Sequence, residues 1–340
     1  MLTYVTRRLL LLIPVLIGVS ILTFTILRLA GDPTLTYLQN PERASPQQIA
    51  EIREKYHLDE PLYIQYYYWL DGVLHGDFGW SKTANMPASQ ALTLKFPATF
   101  ELAILTTVFA VIIGIYVGTV SAIKVNSIAD QSSRVIALVG VSIPVFWLGI
   151  MLIMVFYKML GWAPIPQGEY TFTKFDKASL SSHSGFLLFD TLWSRDWRFF
   201  MDHLAHLILP SVTLAFASTA IIIRMMRSSM LEVLGAEYVK TARSKGLPEK
   251  IVIKKHARRN ALIPTTTVIG LSFGGLLGGA VLTETVFSWP GLGQWSANAA
   301  VNLDTAAIMA FTLLTAIIYV LANLIVDIVY AYLDPRVRLG

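Results

Sequence analysis

His203 and His206 are the residues whose type and spacing most resemble a metal site. Three residues apart on a helix, the two imidazoles would share one face and could bind a metal ion together. No third ligand follows at a fixed spacing, and the sequence contains no cysteine. Disulfides, thiolate metal sites and cysteine nucleophiles are thereby excluded. We favour an interfacial histidine pair over a metal site.

A second stretch, Gly76–Thr83, resembles the phosphate-binding loop G-x-x-x-x-G-K-[ST]. It reads GDFGWSKT, and Ser81 stands where the second glycine is required. Because that glycine lets the backbone N–H groups approach a phosphate, we reject a nucleotide site here. The nucleophile motif G-x-S-x-G is also missing from the sequence. No catalytic residue, metal ligand or nucleotide site is predicted, so the sequence does not indicate an enzyme.

The elements that would carry any functional side chain are strongly apolar. Of the 340 residues, 54% are hydrophobic and 14% are charged, whereas soluble proteins carry about 25% charged residues. This composition disfavours a soluble enzyme, a disordered chain and a coiled coil. Backbone groups in lipid must be satisfied within a segment, so apolar runs of spanning length are predicted to be helices. Six such runs lie near 9–30, 98–123, 135–157, 207–226, 264–287 and 305–332.

The positive charges predict how these six helices are oriented. Sixteen of the 27 Lys and Arg residues fall in 1–8, 124–134, 224–263 and 333–340, although these segments are shorter in total than the loops at the other helix ends. Cytoplasmic loops carry an excess of Lys and Arg. We therefore predict an all-α integral membrane protein with six transmembrane helices and both termini in the cytoplasm. The outer loop 158–206 is expected to form an ordered lid, and residues 46–70 look helical.

Charged residues near the apolar runs lie toward their ends, at Arg28, Glu101, Arg224, Glu284 and Asp327. A carrier coupled to protons or sodium usually has carboxylates in mid-span, so that mechanism is disfavoured. Inspection reveals no internal repeat of the kind found in many secondary transporters. Arg224 and Asp327 could pair, but snorkelling of both side chains to the interface is the favoured interpretation.

The segment 225–263 is the one sizeable inner loop and is rich in basic residues. Its pattern predicts two helices, Ser228–Lys245 and Pro248–Asn260, separated at Gly246-Leu247-Pro248, because glycine suits the left-handed turn that ends a helix and proline suits the first turn of the next. Positive-inside topology explains the charge but not the broken helices. Nucleic-acid binding is disfavoured because no aromatic residues interleave the basic ones. Docking of a cytoplasmic motor protein is the third interpretation.

The stretch YVKTARSKGL at Tyr238–Leu247 resembles the EAA-type coupling loop of ABC importer permeases, in particular the first-permease type of the dipeptide/oligopeptide/nickel family. Matching motifs occur in order along the whole chain. They are Arg7-Arg8, Gly31-Asp32-Pro33, GDFG at 76–79, PATFEL at 97–102, SIPVFW at 142–147, Arg259-Asn260-Ala261 with Pro264, ETVFSWPGLG at 284–293 and Asp334-Pro335-Arg336.

The resemblance implies the type I importer permease fold and a non-catalytic subunit. Its partners would be a second homologous permease, two ABC ATPases that bind ATP and Mg, an extracytoplasmic substrate-binding protein and the lipid of a prokaryotic cell membrane. It also implies two parts: 1–97, with the first transmembrane helix and outer loop, and 98–340, a five-helix core that includes the coupling loop 225–263. The residues expected to couple to the ATPase are Tyr238, Thr241, Ala242, Arg243, Lys245, Gly246 and Leu247.

Two qualifications apply to the resemblance. The general motif begins Glu-Ala-Ala, whereas this chain has Lys240-Thr241-Ala242, so the role of the glutamate does not carry over. Di- and oligopeptides are the expected cargo; an oligosaccharide or nickel importer permease of the same family is the alternative, and a stand-alone secondary transporter is the alternative of a different class. On the fifth run, small residues permit close helix contact, so a packing or pathway-lining role is expected for Gly274, Gly275, Gly278 and Gly279.

Overall fold

The computed structural model describes residues 2–30, 34, 37–38, 44–181, 183–278 and 280–333. Several features named above lie outside this part. They are Gly31-Asp32-Pro33, Gly279, Asp334-Pro335-Arg336 and the side chains of Arg7, Arg8 and Asp327.

The described chain is mostly helical, which confirms the all-α prediction. Its sheet is a two-residue hairpin of β1 (Trp80–Ser81) and β2 (Met86–Pro87). The helices are α1 (Leu2–Ala30), α2 (Pro46–Lys55), α3 (Leu62–Leu74), α4 (Ala88–Ile123), α5 (Ile128–Ser142), α6 (Val145–Leu152), α7 (Leu187–Trp193), α8 (Trp197–Leu234), α9 (Glu237–Ser244), α10 (Glu249–Ile251), α11 (Arg258–Leu277), α12 (Val281–Val286), α13 (Leu292–Val301) and α14 (Thr305–Leu333). Two π-helical segments, Ile153–Met159 and Val252–Ala257, continue α6 and precede α11.

Four helical segments in the described residues are long and apolar enough to cross a membrane: Ala88–Ile123, Trp197–Leu234, Glu249–Leu277 and Thr305–Val326. A fifth crossing is possible if α5 and the helix that follows it count as one broken span. The described side chains of α1 give a shorter apolar stretch, Ile13–Ile26. Five of the six predicted runs therefore coincide with spanning or bent apolar helices, and the first coincides with α1.

The third predicted run is broken rather than kinked. The chain bends by 104° between Ile128–Ser142 and Val145–Met159. Ile143, directly before Pro144, is extended with φ −80° and ψ 128°, because the proline ring disfavours helical geometry in the preceding residue. Pro210, by contrast, lies within the uninterrupted helix α8.

The fifth predicted run, 264–287, is also too long. Helix α11 ends at Leu277, and Ala280 leaves helical geometry before the separate helix α12 begins. The poor helix propensity of the glycines in this stretch accounts for the early end. Glu284 therefore belongs to α12 and not to a spanning helix.

Helix α8 is the centre of the bundle, and small residues let its neighbours approach it. On α4, Gly114 and Gly118 face Ile222 and Met226 of α8; a Cβ at Gly114 would lie 2.5 Å from the Ile222 side chain. On α5, a Cβ at Gly140 would lie 2.8 Å from that of Ala220. Close backbone approach through small residues is the usual device for helix packing in lipid. Helix α8 therefore holds α4 and α5 in the bundle. Its first residue follows the loop that contains α7, and its last residue leads into α9.

The segments before α4 and after α6 pack onto this bundle. Residues 46–70 form two helices rather than one, since the chain turns between Lys55 and Leu62, with His57 at φ +53°. The aromatic rings of Phe24, Tyr66 and Trp69 join α1 to α3. The loop predicted at 158–206 is shorter than expected, because residues 197–206 belong to α8. It contains the short helix α7.

Candidate functional site

The loop that joins α8 to α11 contains one short helix and a tight turn. Helix α8 continues to Leu234, beyond the predicted start of the next piece at Ser228, and the chain breaks at Gly235 and Ala236. Ala236 is extended, with φ −71° and ψ 148°. The predicted single helix Ser228–Lys245 is therefore wrong: it is the end of α8 followed by α9. Glycine is unfavourable inside a helix, and Gly235 marks the break.

The turn after α9 lies where the sequence predicted it. Gly246 has φ +74°, the left-handed conformation that side chains other than glycine rarely adopt. Its N–H donates to the Arg243 carbonyl at 2.9 Å. The Pro248 carbonyl then accepts the N–H groups of Ile251 and Val252 and starts the next helix. That helix does not end at Asn260: it runs for 29 residues, from Glu249 to Leu277.

A small apolar core holds the loop together. Val239 and Ala242, three residues apart on one face of α9, are buried against Val252, with Leu247 partly buried beside them. Ala242 therefore packs inward, and its side chain is not available to a docked partner. This core joins α9 to the helix that begins after the turn.

The remaining predicted residues form the outer surface of the loop. Tyr238, Thr241 and Lys245 are exposed, as are Arg243 and Gly246. The Tyr238 hydroxyl accepts a hydrogen bond from the Asn260 side chain at 2.9 Å, which ties α9 to the start of α11. Five of the seven predicted coupling residues are thus exposed on the loop.

An ion pair spans the turn. The Arg243 guanidinium donates to both carboxylate oxygens of Glu249, at 3.1 and 2.7 Å. These hydrogen bonds raise the pKa of Arg243 above its usual range. Both side chains are exposed, so solvent screens the pair and its net contribution to stability is small. The pair joins the two arms of the turn.

The loop surface carries unpaired positive charge. Among the described residues, Lys245, Lys250, Lys254 and Lys255 are exposed and have no carboxylate partner within ion-pair distance. A surface of this kind favours an acidic or polar partner through electrostatic steering.

The glycines of α11 separate into two groups. Gly274 and Gly278 face α14, where added Cβ atoms would lie 3.0 Å from Ala322 and 3.1 Å from Thr315. Gly270, which the sequence analysis missed, faces the same helix, and its Cβ would clash with Val326. The four-residue spacing of 270, 274 and 278 could have revealed it. Gly275 has open space around it, and Gly279 lies outside the described residues.

The histidine pair is buried rather than interfacial, so that interpretation was wrong. His203 has no exposed surface; one ring nitrogen contacts the Glu169 carbonyl at 2.7 Å and the other the Glu101 carboxylate at 2.9 Å. In the described part of the chain, no group of three or more His, Cys, Asp or Glu residues could hold a metal ion. His203 thus joins α8 to α4 through Glu101, and to the loop after α6 through Glu169.

Two further carboxylates are buried: Glu284, which the sequence placed near the end of an apolar run, and Asp304, which the sequence analysis missed. Glu284 accepts hydrogen bonds from the Thr99 hydroxyl at 2.8 Å and the Gln294 N–H at 2.9 Å, and so connects α12 and α13 to α4. Asp304 accepts from Ser81 at 2.7 Å and from the Thr83 N–H at 2.9 Å. The stretch that resembles a phosphate loop is therefore a hairpin held by a carboxylate.

Asp130 and Arg227 form a third missed network, near the end of the bundle that carries the α8–α11 loop. The fully buried Asp130 carboxylate accepts from Arg227 at 2.7 and 3.0 Å and from the Ser121 hydroxyl at 2.6 Å. The network joins α4, α5 and α8. It comes from residues nearly 100 positions apart, a separation at which the sequence gives no local signal.

Comparison with known proteins identifies the family. The model for the binding-protein-dependent transport system inner membrane component matches residues 110–339, and the model for its N-terminal part matches residues 1–103. The dipeptide transport system permease protein DppB of Alkalihalophilus pseudofirmus is 46% identical over 339 residues, with 99% of this chain and 100% of the relative covered.

Other relatives agree. DppB of Escherichia coli K12 is 42% identical, with 99% of both chains covered, and the oligopeptide transport system permease protein AppB of Bacillus subtilis is 38% identical, with 99% of this chain and 100% of AppB covered. A solved structure of the MetNI methionine ABC transporter in inward-facing conformations shares the fold, with TM-score 0.51 and 16% identity over 72% of this chain and 97% of the other. This chain therefore belongs to the family of binding-protein-dependent transport system inner membrane components.

Proposed function

We propose that this chain is the permease subunit of an ATP-driven ABC importer that takes up dipeptides and short oligopeptides. The observation that carries the proposal is the full-length similarity to DppB, 46% identical over 99% of the chain, since that relative is named a dipeptide permease. The oligopeptide permease AppB, at 38% identity, supports the same class of cargo.

The subunit is non-catalytic in this proposal, and ATP with Mg is bound by partner ATPases. Its other partners are a second homologous permease and an extracytoplasmic substrate-binding protein. The α8–α11 loop supports an ATPase contact, because its exposed surface is basic and the Arg243–Glu249 pair joins the two arms of its turn. The residues proposed to touch the ATPase are Tyr238, Thr241, Arg243, Lys245 and Gly246.

The transport mechanism we propose is alternating access driven through this loop. α9 follows α8 after two residues, and the helix that starts at Glu249 continues directly to Leu277. The Val239–Ala242–Val252 core makes the two arms move together. When the ATPases close on ATP, displacement of the loop would therefore displace both spanning helices. ATP then supplies the differential stabilisation of two states that cargo alone need not supply.

The proposal includes six transmembrane helices with both termini in the cytoplasm, in the type I importer arrangement. It also includes a division into 1–97 and the five-helix part 98–340. The excess of Lys and Arg in the loops on one side supports this orientation. In α11, Gly274 and Gly278 are proposed as packing residues, whereas Gly275, with open space around it, is proposed to line the pathway or contact the second permease.

Co-expression with the partner subunits tests the function. The tagged chain should co-purify with ATPase subunits in near-equal amounts, and proteoliposomes containing the full complex and binding protein should accumulate a labelled dipeptide only with ATP inside. Dipeptide uptake by the purified chain alone would favour a stand-alone transporter and contradict the proposal. ATP-dependent uptake of a sugar or nickel, with none of peptide, would contradict the cargo.

A further inference from the structure

A basic groove runs between α5 and α8, at the end of the bundle that carries the α8–α11 loop. Its volume is about 760 Å³, and it is lined by positions 131, 134, 135 and 138 of α5 and 224, 227, 228 and 231 of α8. Both sets follow the i, i+3, i+4, i+7 spacing of one helix face. The groove is therefore built by two facing stripes and not by scattered surface side chains.

The two helices are antiparallel, and their contacts give the level of each side chain. Asp130 is bonded to Arg227, and Gly140 contacts Ala220. Arg134 lies between Asp130 and Gly140 on α5, and Arg224 lies between Ala220 and Arg227 on α8. Arg134 and Arg224 are thus at the same level of the same groove.

The charge in the groove is not balanced by protein. Arg227 is neutralised by Asp130, but Arg134 and Arg224 are exposed and, within the described residues, have no carboxylate or other hydrogen-bonding partner. Two like charges at one level repel each other, and an anion between them would convert this repulsion into two charge-assisted hydrogen bonds. Gln131 and Ser228 add polar groups at the end of the groove nearest the α8–α11 loop.

The depth of the groove fits the boundary between lipid tails and headgroups. α8 has 38 residues, about 57 Å at 1.5 Å per residue, so a centred helix would project about 13 Å beyond each side of a 30 Å hydrocarbon core. Arg224 lies ten residues, or about 15 Å, from the end of α8. Beyond it, toward the middle of the bundle, the exposed side chains are apolar: Leu138 lines the groove, Val139 follows it on α5, and Ile221 follows Ala220 on α8.

We propose that this groove binds the phosphate headgroup of an anionic phospholipid, which Arg134 and Arg224 grip together while an acyl chain lies along Leu138. The apolar wall next to the arginine pair favours a lipid over a free anion, because only a lipid also covers that surface. The inference goes beyond peptide transport and does not depend on it, since it concerns only the membrane around this chain.

Native mass spectrometry of the purified full-length chain tests the site. Wild-type chain titrated with phosphatidylglycerol should retain one lipid at concentrations where phosphatidylcholine is lost. The double variant Arg134→Gln/Arg224→Gln should bind phosphatidylglycerol about thirtyfold more weakly, and Arg134→Lys/Arg224→Lys should keep most of the binding because the charges stay. The control Lys254→Gln/Lys255→Gln removes the same charge from exposed positions outside the groove and should bind as wild type does.

Equal loss of phosphatidylglycerol in the control and in the arginine variant would overturn the proposal, because binding would then follow net charge alone. Unchanged binding in the arginine variant would overturn it too. Glycerol 3-phosphate, which lacks acyl chains, is the competition probe. If it displaces the lipid at equal concentration, the groove is a site for free phosphate and the lipid assignment fails; if a large excess is needed, the assignment is supported.

Discussion

Replacing Gly246 by valine tests whether the bend in the α8–α11 loop carries the coupling. Gly246 has φ +74°, and no atom lies within 4 Å of an added Cβ. The substitution therefore creates no clash, and its whole cost is backbone strain. For a residue with a Cβ in the left-handed region that cost is about 2 kcal/mol, enough to shift the equilibrium of the turn about thirtyfold away from its native shape.

We expect Gly246→Val to insert and assemble normally, because the Val239–Ala242–Val252 core stays intact, but to lose most peptide uptake per ATP hydrolysed. Gly246→Asn should recover much of the uptake, since asparagine tolerates this conformation. The assay is ATP-driven dipeptide uptake in proteoliposomes with the partner subunits, alongside the ATPase rate. The quotient of the two rates isolates coupling from expression.

Gly161 provides the matched control. It has φ +65° and equally open space around its Cβ position, but it lies in the loop after α6. Gly161→Val carries the same local strain and should leave uptake per ATP unchanged. The reasoning is refuted if Gly246→Val transports as wild type does, or if Gly161→Val loses coupling to the same degree.

Three further substitutions test the helix packing. Gly270→Val should lower the thermal unfolding midpoint strongly, because its side chain would overlap Val326 on α14, whereas Gly275→Val, with open space, should unfold near the wild-type temperature; equal midpoints for the two would contradict the assignment of faces. Asp130→Asn leaves the partly buried Arg227 without its carboxylate and should destabilise the chain by about 3 kcal/mol, measured as a lower midpoint by tryptophan fluorescence. An unchanged midpoint would show that the network contributes little.

Local chemistry made part of this structure predictable. The bend at Gly246 follows from the left-handed preference of glycine, and the spanning helices follow from apolar length. The break in the third run was not predicted, although Pro144 is visible in the sequence: the residue before a proline avoids helical geometry, and the helix ends before Ile143. Because α8 continues unbroken through Pro210, a proline alone does not tell whether a run is interrupted.

Contacts across the chain explain what the sequence could not reveal. His203 is buried because Glu101, on another helix, and the Glu169 carbonyl meet its two ring nitrogens. Ala242 was expected at the partner surface, but α9 turns it inward onto Val252. In both cases the residue type was informative, whereas its direction depended on how distant helices pack.

Site-specific crosslinking at the α8–α11 loop tests the central claim most directly. The chain has no cysteine, so Thr241→Cys introduces a single thiol on the exposed face of α9. With a short thiol-to-amine crosslinker in the assembled complex, the account predicts a crosslink from Thr241→Cys to the ATPase and none from Trp162→Cys, an exposed position in the loop after α6. Equal crosslinking from both positions, or none from Thr241→Cys in a complex that contains the ATPase, would contradict it.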